Sequence, residues 1–301
     1  MSELRLATRR SPLALTQASF VQQRLAGLGV PSVLVPLETQ GDRSADVSLD
    51  ELGAQGVFAL EIQRAVLNGE ADVAIHSAKD LPSTTPEGLV LACVPQRLDA
   101  ADVLIGRSLA GLGPGATVAT GSPRRRALLL ERRPDLRVVG LRGNMARRFA
   151  AVNDSDVDAV VVAAAALSRL DQNALVAERL DPEWFVPQVG QGALALEVRD
   201  GDTSTAHALA PMNERDAMTA LVAERSFLRE LGAGCTVPCG AHASVSGGVI
   251  SLRGVMLSVD GTRSVREVVN GDDPLAIGRA LALELRDARG GGALAGWQRT
   301  P

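Results

Sequence analysis

Strand and helix alternate in the same order twice along this chain, and the repeat limits the folds open to it. In the first eighty residues, apolar runs at 4–7, 33–37 and 72–75 read as short strands. Two helical stretches separate them. Ser11-Pro12 opens the first, with serine as N-cap and proline at the first helical position, and Gly27 and Gly29 end it. Its apolar residues Leu13, Ala14, Phe20, Val21 and Leu25 fit one helical face. The second stretch covers 57–67. The order β-α-β-α-β implies a parallel sheet, whose ligands bind outside the carboxyl ends of the strands. Residues 103–105, 117–119, 137–141 and 159–162 repeat the strand pattern, with helices after Ser122 and after Asn144. The repeat predicts two α/β lobes with a cleft between them.

The remainder is of a different kind. Residues 41–56 are polar and glycine-punctuated, which predicts a mobile loop. Residues 193–198 return to strand character and are expected to pair back into the first lobe. Asn213 is the expected N-cap of a long helix reaching Leu231. Strands at 241–245, 249–258 and 264–269 and a helix over 273–289 then suit a small α+β unit. The predicted division is 1–95 with 190–211 for the first lobe, 96–189 for the arginine-rich second lobe, and 212–301 for the C-terminal domain.

A chain of 301 residues has room for two or three domains, and 46% hydrophobic with 22% charged residues excludes disorder. Aromatics make up only 2%, with no tyrosine, so Leu, Val and Ala must fill the cores. No apolar run approaches the roughly 20 residues of a membrane span. Met1-Ser2-Glu3-Leu4-Arg5 runs into the first strand with no signal-peptide pattern. Three cysteines cannot all pair with one another. Together these features predict a cytoplasmic, membrane-free protein.

Charge is unevenly spread. Residues 119–148 hold nine arginines against Glu131 and Asp135, a net of +7; the whole chain is −4, so the remainder carries −11. A basic region in an acidic protein points to an anionic ligand. Gly121-Ser122-Pro123-Arg124-Arg125-Arg126 is the clearest site, because Ser122 and Pro123 mark a helix start. Arginines oppose the dipole there, and a bound anion reverses the sign of the effect. Arg142-Gly143-Asn144 repeats the arrangement: arginine at a strand end, Gly143 for close approach, then a helix with Arg147 and Arg148. Thr8-Arg9-Arg10-Ser11 makes a third such site. Carboxylates and phosphates both suit this set.

Lys79 is the chain's single lysine among 31 basic residues. It lies in Ile75-His76-Ser77-Ala78-Lys79-Asp80, at a predicted strand end. A lysine that escapes such an arginine bias serves where a compact, rotatable ammonium is needed. Asp80 beside it is a candidate acid, base or cation stabiliser. Cys235 sits in Gly232-Ala233-Gly234-Cys235-Thr236, a glycine-rich turn after a long helix, where a thiolate would be accessible. Cys93 and Cys239 read as buried small hydrophobes. No metal-ligand spacing occurs, and His242 alone is a weak metal argument.

Taken together, these residues resemble the porphobilinogen deaminase family. The match covers Leu4-Arg5-Leu6-Ala7-Thr8-Arg9 with Ser11-Pro12-Leu13-Ala14-Leu15, Gly41-Asp42, His76-Ser77-Ala78-Lys79-Asp80, Ser122 with Arg124-Arg125, and Leu141-Arg142-Gly143-Asn144. It continues through Val189-Gly190-Gln191-Gly192 to Glu224-Arg225, Gly234-Cys235 and Pro238. The resemblance implies two lobes like those of type II periplasmic binding proteins, joined by hinges, plus a small α+β C-terminal domain. It implies a dipyrromethane cofactor, thioether-linked to Cys235, and no metal. Four porphobilinogen molecules would be condensed head to tail with loss of ammonia, and hydrolysis would release hydroxymethylbilane. Asp80 and Lys79 would be catalytic, with Asp80 stabilising the cationic azafulvene. Lys79, Asp80, Ser122, Arg124, Arg125 and Gly143 would hold the cofactor. Arg9, Ser11, Arg142, Arg148, Arg169, Gln191 and Phe58 would meet substrate, with Gln191 lining the cleft or hinge. The implied protein is a monomer acting on a small molecule.

Four positions depart from the family pattern. Gln40 precedes Gly41-Asp42 where arginine is frequent, and Gln55 stands where lysine is frequent. Ala233 replaces a usual glycine, and Cys239 an aliphatic residue. Two other classes compete: a non-catalytic two-lobe anion-binding protein, and a nucleic-acid binder using residues 119–148. The first leaves Cys235 and Asp80 without a purpose. The second lacks interleaved aromatics, since only Phe149 is near.

Overall fold

The computed structural model describes residues 3–38, 59–153, 155–232 and 237–297. Its packing divides the chain into two compact units, Met1–Leu98 with Gly192–Met218, and Asp99–Gln191 with Thr219–Pro301.

The first unit is built on a five-stranded sheet. β1 (Leu4–Arg9), β2 (Ser32–Leu37) and β3 (Val73–Ser77) are parallel, and β10 (Leu194–Arg199) and β4 (Leu89–Cys93) complete the order β2-β1-β3-β10-β4. β10 runs antiparallel between β3 and β4, so residues 193–198 do return to the first lobe. Helix α1 (Pro12–Gly27) begins as its sequence predicts, with Ser11 Oγ accepting from the Ala14 N–H and proline in the first turn. It buries Gln17, Ala18, Val21 and Leu25. Phe20 departs from the expected face and is exposed, because the buried stripe passes through Gln17 and Val21 instead. Helix α2 (Leu60–Leu67) covers the opposite face, where Ile62, Ala65 and Val66 pack with Ala7 and Ala74. Burial on both faces is what parallel strands require.

The second unit repeats this topology. β6 (Thr117–Ala119), β7 (Arg137–Val139) and β8 (Ala159–Ala163) are parallel, and with β5 (Asp102–Gly106) and β9 (Val176–Arg179) they give the order β7-β6-β8-β5-β9. The two sheets therefore match strand for strand. β5, the first strand predicted for this lobe, proves antiparallel to its neighbours and takes the place of β10. Helices α3 (Pro123–Arg132), α4 (Met145–Ala150) and α5 (Ala164–Arg169) follow the three parallel strands.

The chain re-enters the first unit through β10 and α6 (Thr203–Leu209), and α7 (Arg215–Leu231) leads back to the second. The first helical bond of α7 runs from the Met218 N–H to Glu214 O, one residue after Asn213, whose side chain accepts from the Val94 N–H at 2.9 Å. A three-stranded antiparallel sheet, β11 (Cys239–Ser246), β12 (Val249–Leu257) and β13 (Ser264–Gly271), follows with α8 (Pro274–Leu283). Its core joins Phe227 and Leu231 of α7 to Leu252, Leu281 and Leu285. Val255 and Leu257 pack instead with Leu128, Leu129 and Phe185, so this small α+β part shares a core with the second lobe. The expected fold class, two α/β lobes plus a small α+β part, is thus present.

Candidate active site

In the first lobe, β1 and β3 are parallel neighbours, so their carboxyl ends lie along one sheet edge. β1 delivers Thr8, Arg9 and Arg10 there, and Ser11 follows as the cap of α1. Thr8 is buried and its hydroxyl donates to the Ala14 carbonyl at 3.3 Å, which fixes the turn. β3 passes directly into a single 3-10 turn, Ala78–Asp80. The Ala78 N–H donates to Ala193 O at 3.0 Å, and the Leu81 N–H returns to Ala78 O at 3.3 Å. Lys79 and Asp80 are consequently held on a short, backbone-anchored turn, both half-buried. Arg9, Ser11, Lys79 and Asp80 are thus brought to one edge of one sheet.

His76 is different. It is buried, with Nε2 3.2 Å from Glu197 Oε2 on β10, and Gln63 of α2 donates to the same oxygen at 2.8 Å. The histidine near Lys79 in sequence belongs to an interior polar cluster behind the strand end.

In the second lobe the carboxyl ends of β6, β7 and β8 share an edge. Gly121, after β6, comes so close to the turn after β7 that a Cβ on it would lie 2.6 Å from Leu141 O. That approach sets Ser122 beside the Arg142-Gly143 turn. Ser122 caps α3, its Oγ accepting from the Arg125 N–H, while its own N–H donates to Thr120 Oγ1 at 3.2 Å. Gly143 has a φ of +101°, which favours glycine, and a Cβ there would lie 2.7 Å from Arg147 Cδ and oblige that side chain to shift. Asn144 caps α4, and Arg148 Nε donates to Gly143 O at 3.2 Å. Arg142 is exposed on the same turn, and Arg169 is half-buried at the end of α5.

Arg124 and Arg125 correct the expectation that only a bound anion makes arginine favourable at this helix start. Both are buried, and the anion that pairs with both is Asp102, fully buried at the start of β5. Arg124 reaches Asp102 Oδ2 at 2.7 Å and Val186 O at 2.7 Å, and its guanidinium lies 5.6 Å from the Phe185 ring centre. Arg125 donates twice to Asp102 Oδ1 and once to Val161 O at 3.0 Å. Burial pushes the Asp102 carboxyl up, but the two guanidiniums outweigh it and bring it down to about 2. Two cations and one anion leave this interior cluster net positive. Gln191, expected to line a cleft or hinge, is wholly buried here; it donates to Asp102 Oδ1 at 2.9 Å and to Ala100 O at 2.7 Å.

The basic segment as a whole is less of an anion surface than its charge predicts. Arg126 donates to Val138 O, Arg133 pairs with Asp135, Arg137 reaches Thr117 Oγ1, and Arg132 lies 4.6 Å over the Trp184 ring. These arginines serve the lobe's own carbonyls, acids and ring. Arg142, Arg147 and Arg148 remain grouped around the Gly143 turn.

Cys93 and Cys239 are buried, as expected, and burial pushes the Cys93 thiol up to about 12, where it is inert. Cys235, Phe58, Gln40, Gln55 and the 41–56 segment lie outside the described residues. Among the described residues no group of three or more His, Cys, Asp or Glu could hold a metal ion, and no helix is long and apolar enough to cross a membrane. Sequence reasoning missed Asp102, Gln63 and Glu197. The available signal was a carboxylate inside an apolar run, as in Leu194-Ala195-Leu196-Glu197-Val198.

Residues 4–207 match the family model described as porphobilinogen deaminase, dipyromethane cofactor binding domain, and residues 218–287 match the porphobilinogen deaminase C-terminal domain. The porphobilinogen deaminase of Syntrophotalea carbinolica is 44% identical over 291 residues, 95% of this chain and 92% of its own. That of Roseiflexus castenholzii is 41% identical over 302 residues, 98% and 99% of the two chains. Among solved structures, the methionine binding protein MetQ is similar over 71% of this chain and 91% of its own, at 12% identity and a TM-score of 0.45. With two family models matched in order and relatives above 40% identical along nearly its whole length, the chain belongs to the porphobilinogen deaminase family.

Proposed function

We propose that this chain condenses four porphobilinogen molecules head to tail, with loss of ammonia from each, and releases hydroxymethylbilane by hydrolysis. The observation that carries this reading is the placement of Asp80 and Lys79 on an anchored turn, at the sheet edge shared with Arg9 and Ser11. Porphobilinogen bears an acetate and a propionate, so a lengthening chain accumulates carboxylates. Guanidinium groups and hydroxyls at strand ends suit those groups. Arg9 and Ser11 in the first lobe, and Ser122, Arg142, Arg148 and Arg169 in the second, would take them. The net-positive cluster of Arg124, Arg125 and Asp102 would stand behind Ser122 and lend its excess charge to the cofactor's carboxylates.

Donors of this kind suit the carboxylates of a dipyrromethane, which would be joined to Cys235 through a thioether, and Gly143 leaves the Arg142 turn free of a side chain that would crowd Arg147. When bound, that group supplies the pyrrole terminus to which the first substrate is joined. Loss of ammonia from porphobilinogen leaves a pyrrole-stabilised cation at the methylene carbon that bore the amine. Asp80 would stabilise that charge where it develops and accept from pyrrole N–H groups. Lys79 would hold a carboxylate beside it with a rotatable ammonium. The same reading makes the protein a cytoplasmic monomer with a small-molecule ligand. The internal use of Arg126, Arg132, Arg133 and Arg137 supports it against nucleic acid.

Intact mass tests the reading. The purified protein should exceed its sequence mass by one dipyrromethane and react with Ehrlich's reagent, and Cys235→Ser should abolish both. An adduct on Cys93 or Cys239, or no adduct, would reject it.

A further inference from the structure

Glu224 lies mid-way along α7 and is wholly buried. Its two oxygens serve two different parts of the unit. Oε1 accepts from the Ala243 N–H of β11 at 2.8 Å, with His242 Nδ1 3.4 Å away. Oε2 accepts from the Gly190 N–H at 2.7 Å. Gly190 has a φ of +73°, a turn geometry that the carboxylate holds from one side. The next residue, Gln191, places its amide on Asp102 and Ala100, and its Oε1 3.4 Å from an Nη of Arg125. Asp102 in turn holds both arginines. One buried polar path therefore runs from β11 through Glu224, Gly190, Gln191 and Asp102 to Arg124 and Arg125.

The two ends of that path matter to the same ligand. β11 is the first strand after Cys235 in sequence, and Arg124 and Arg125 head the helix that Ser122 caps. We infer that Glu224 is a positioning residue, which fixes the arginine pair relative to the strand following the attachment cysteine and so sets how readily the chain takes up its cofactor. The inference rests on the proposed function. A carboxylate is needed at this place because two N–H groups converge on it. Glutamine would turn an NH2 group against one of them and free either the Gly190 turn or β11.

The test uses full-length protein made without porphobilinogen, then mixed with porphobilinogen. Cofactor uptake is followed by intact mass, and melting temperatures are taken for the apo and loaded forms. In Glu224→Gln, uptake should slow roughly tenfold or more, as expected when a distant change displaces a binding group. The gap between loaded and apo melting temperatures should shrink by about half or more, because that gap reports ligand linkage. A purely structural role would lower both temperatures together and leave the gap intact, which would overturn the inference. If Glu224→Gln does not fold, Gln191→Met decides, since it cuts the next link and leaves Glu224 in place; the same slowing and shrinkage are expected, and an unchanged gap overturns. A wild type that never acquires a dipyrromethane overturns the proposed function and this inference together. A wild type that acquires it, beside variants that match it, overturns the inference alone.

Discussion

Asp102 accepts two hydrogen bonds from Arg125 on a single oxygen, Oδ1, at 3.0 Å from Nε and 2.6 Å from an Nη. Its other oxygen is left for Arg124 at 2.7 Å. One carboxylate thus permits two guanidiniums to be buried at a helix start that disfavours them. Asp102→Asn keeps the shape and removes the only counter-charge described there. It should destabilise the protein by about 3–5 kcal/mol, as breaking a buried ion pair does. The pH dependence has a definite sign. The folded carboxyl is depressed to about 2, so its stabilisation is complete above the ordinary carboxylate range. It is lost as the pH falls through that range toward about 2. Urea unfolding between pH 6 and pH 3 should show a steeper acid loss in wild type than in Asp102→Asn.

Replacing Arg125 separates two roles that the sequence could not distinguish. If its main partner were the cofactor, Arg125→Leu would weaken only the loaded protein. With Asp102 and the Val161 carbonyl as internal partners, the apo-protein must weaken as well. We expect apo Arg125→Leu to lose about 2–4 kcal/mol in urea unfolding, the cost of leaving a buried acceptor set short of donors and charge. A double-mutant cycle with Asp102→Asn should then show coupling of at least about 1 kcal/mol.

Asp80 carries the chemical claim. Asp80→Asn preserves size and one acceptor oxygen on the Ala78–Asp80 turn, so folding and cofactor uptake should survive. Turnover should fall by about 100-fold or more, the scale on which removing one transition-state stabiliser acts. Asp80→Glu should retain more activity than Asn, because the charge persists at a shifted position. Near-normal turnover in the Asn variant, measured as porphobilinogen consumption, would remove Asp80 from the mechanism.

The sequence foretold the parallel strands because each is a short apolar run, and β1, β6 and β7 are each followed by a helix with a side-chain cap. Ser11 and Ser122 mark those caps unambiguously, and both were found in place. It did not foretell β9, whose residues Val176–Arg179 are mostly exposed and become a strand only by pairing with β5. Nor did it give the direction of β5, since an apolar run has no polarity of its own. The strand-end placements of Arg9, Lys79, Asp80, Ser122 and Arg142 were legible for the same reason as the strands. What was illegible is which arginines turn inward. That depends on Asp102, twenty-two residues before Arg124 in sequence and next to it only after β5 has joined the sheet. His76 misled in the same way: its sequence neighbours pointed to the site, but strand alternation faces it toward Glu197.

Lys79 gives the most selective test, because a chain with a single lysine offers an amine reagent one side chain and one terminus. Pyridoxal phosphate followed by borohydride should label only those two amines, with Lys79 distinguishable by peptide mass. Lys79 is half-buried on the turn that also carries Asp80, so a bulky phosphorylated ring there would occupy the space a substrate needs. Labelling of Lys79 should therefore remove activity in proportion to its extent, and bound porphobilinogen should slow both at the same rate. Lys79→Arg keeps the charge but replaces a compact, rotatable ammonium with a planar fork. That variant should load its cofactor and lose about tenfold in kcat/KM, the effect of a misplaced but still cationic contact. Complete labelling of Lys79 with full activity would show that the turn carries Asp80 alone to the reaction.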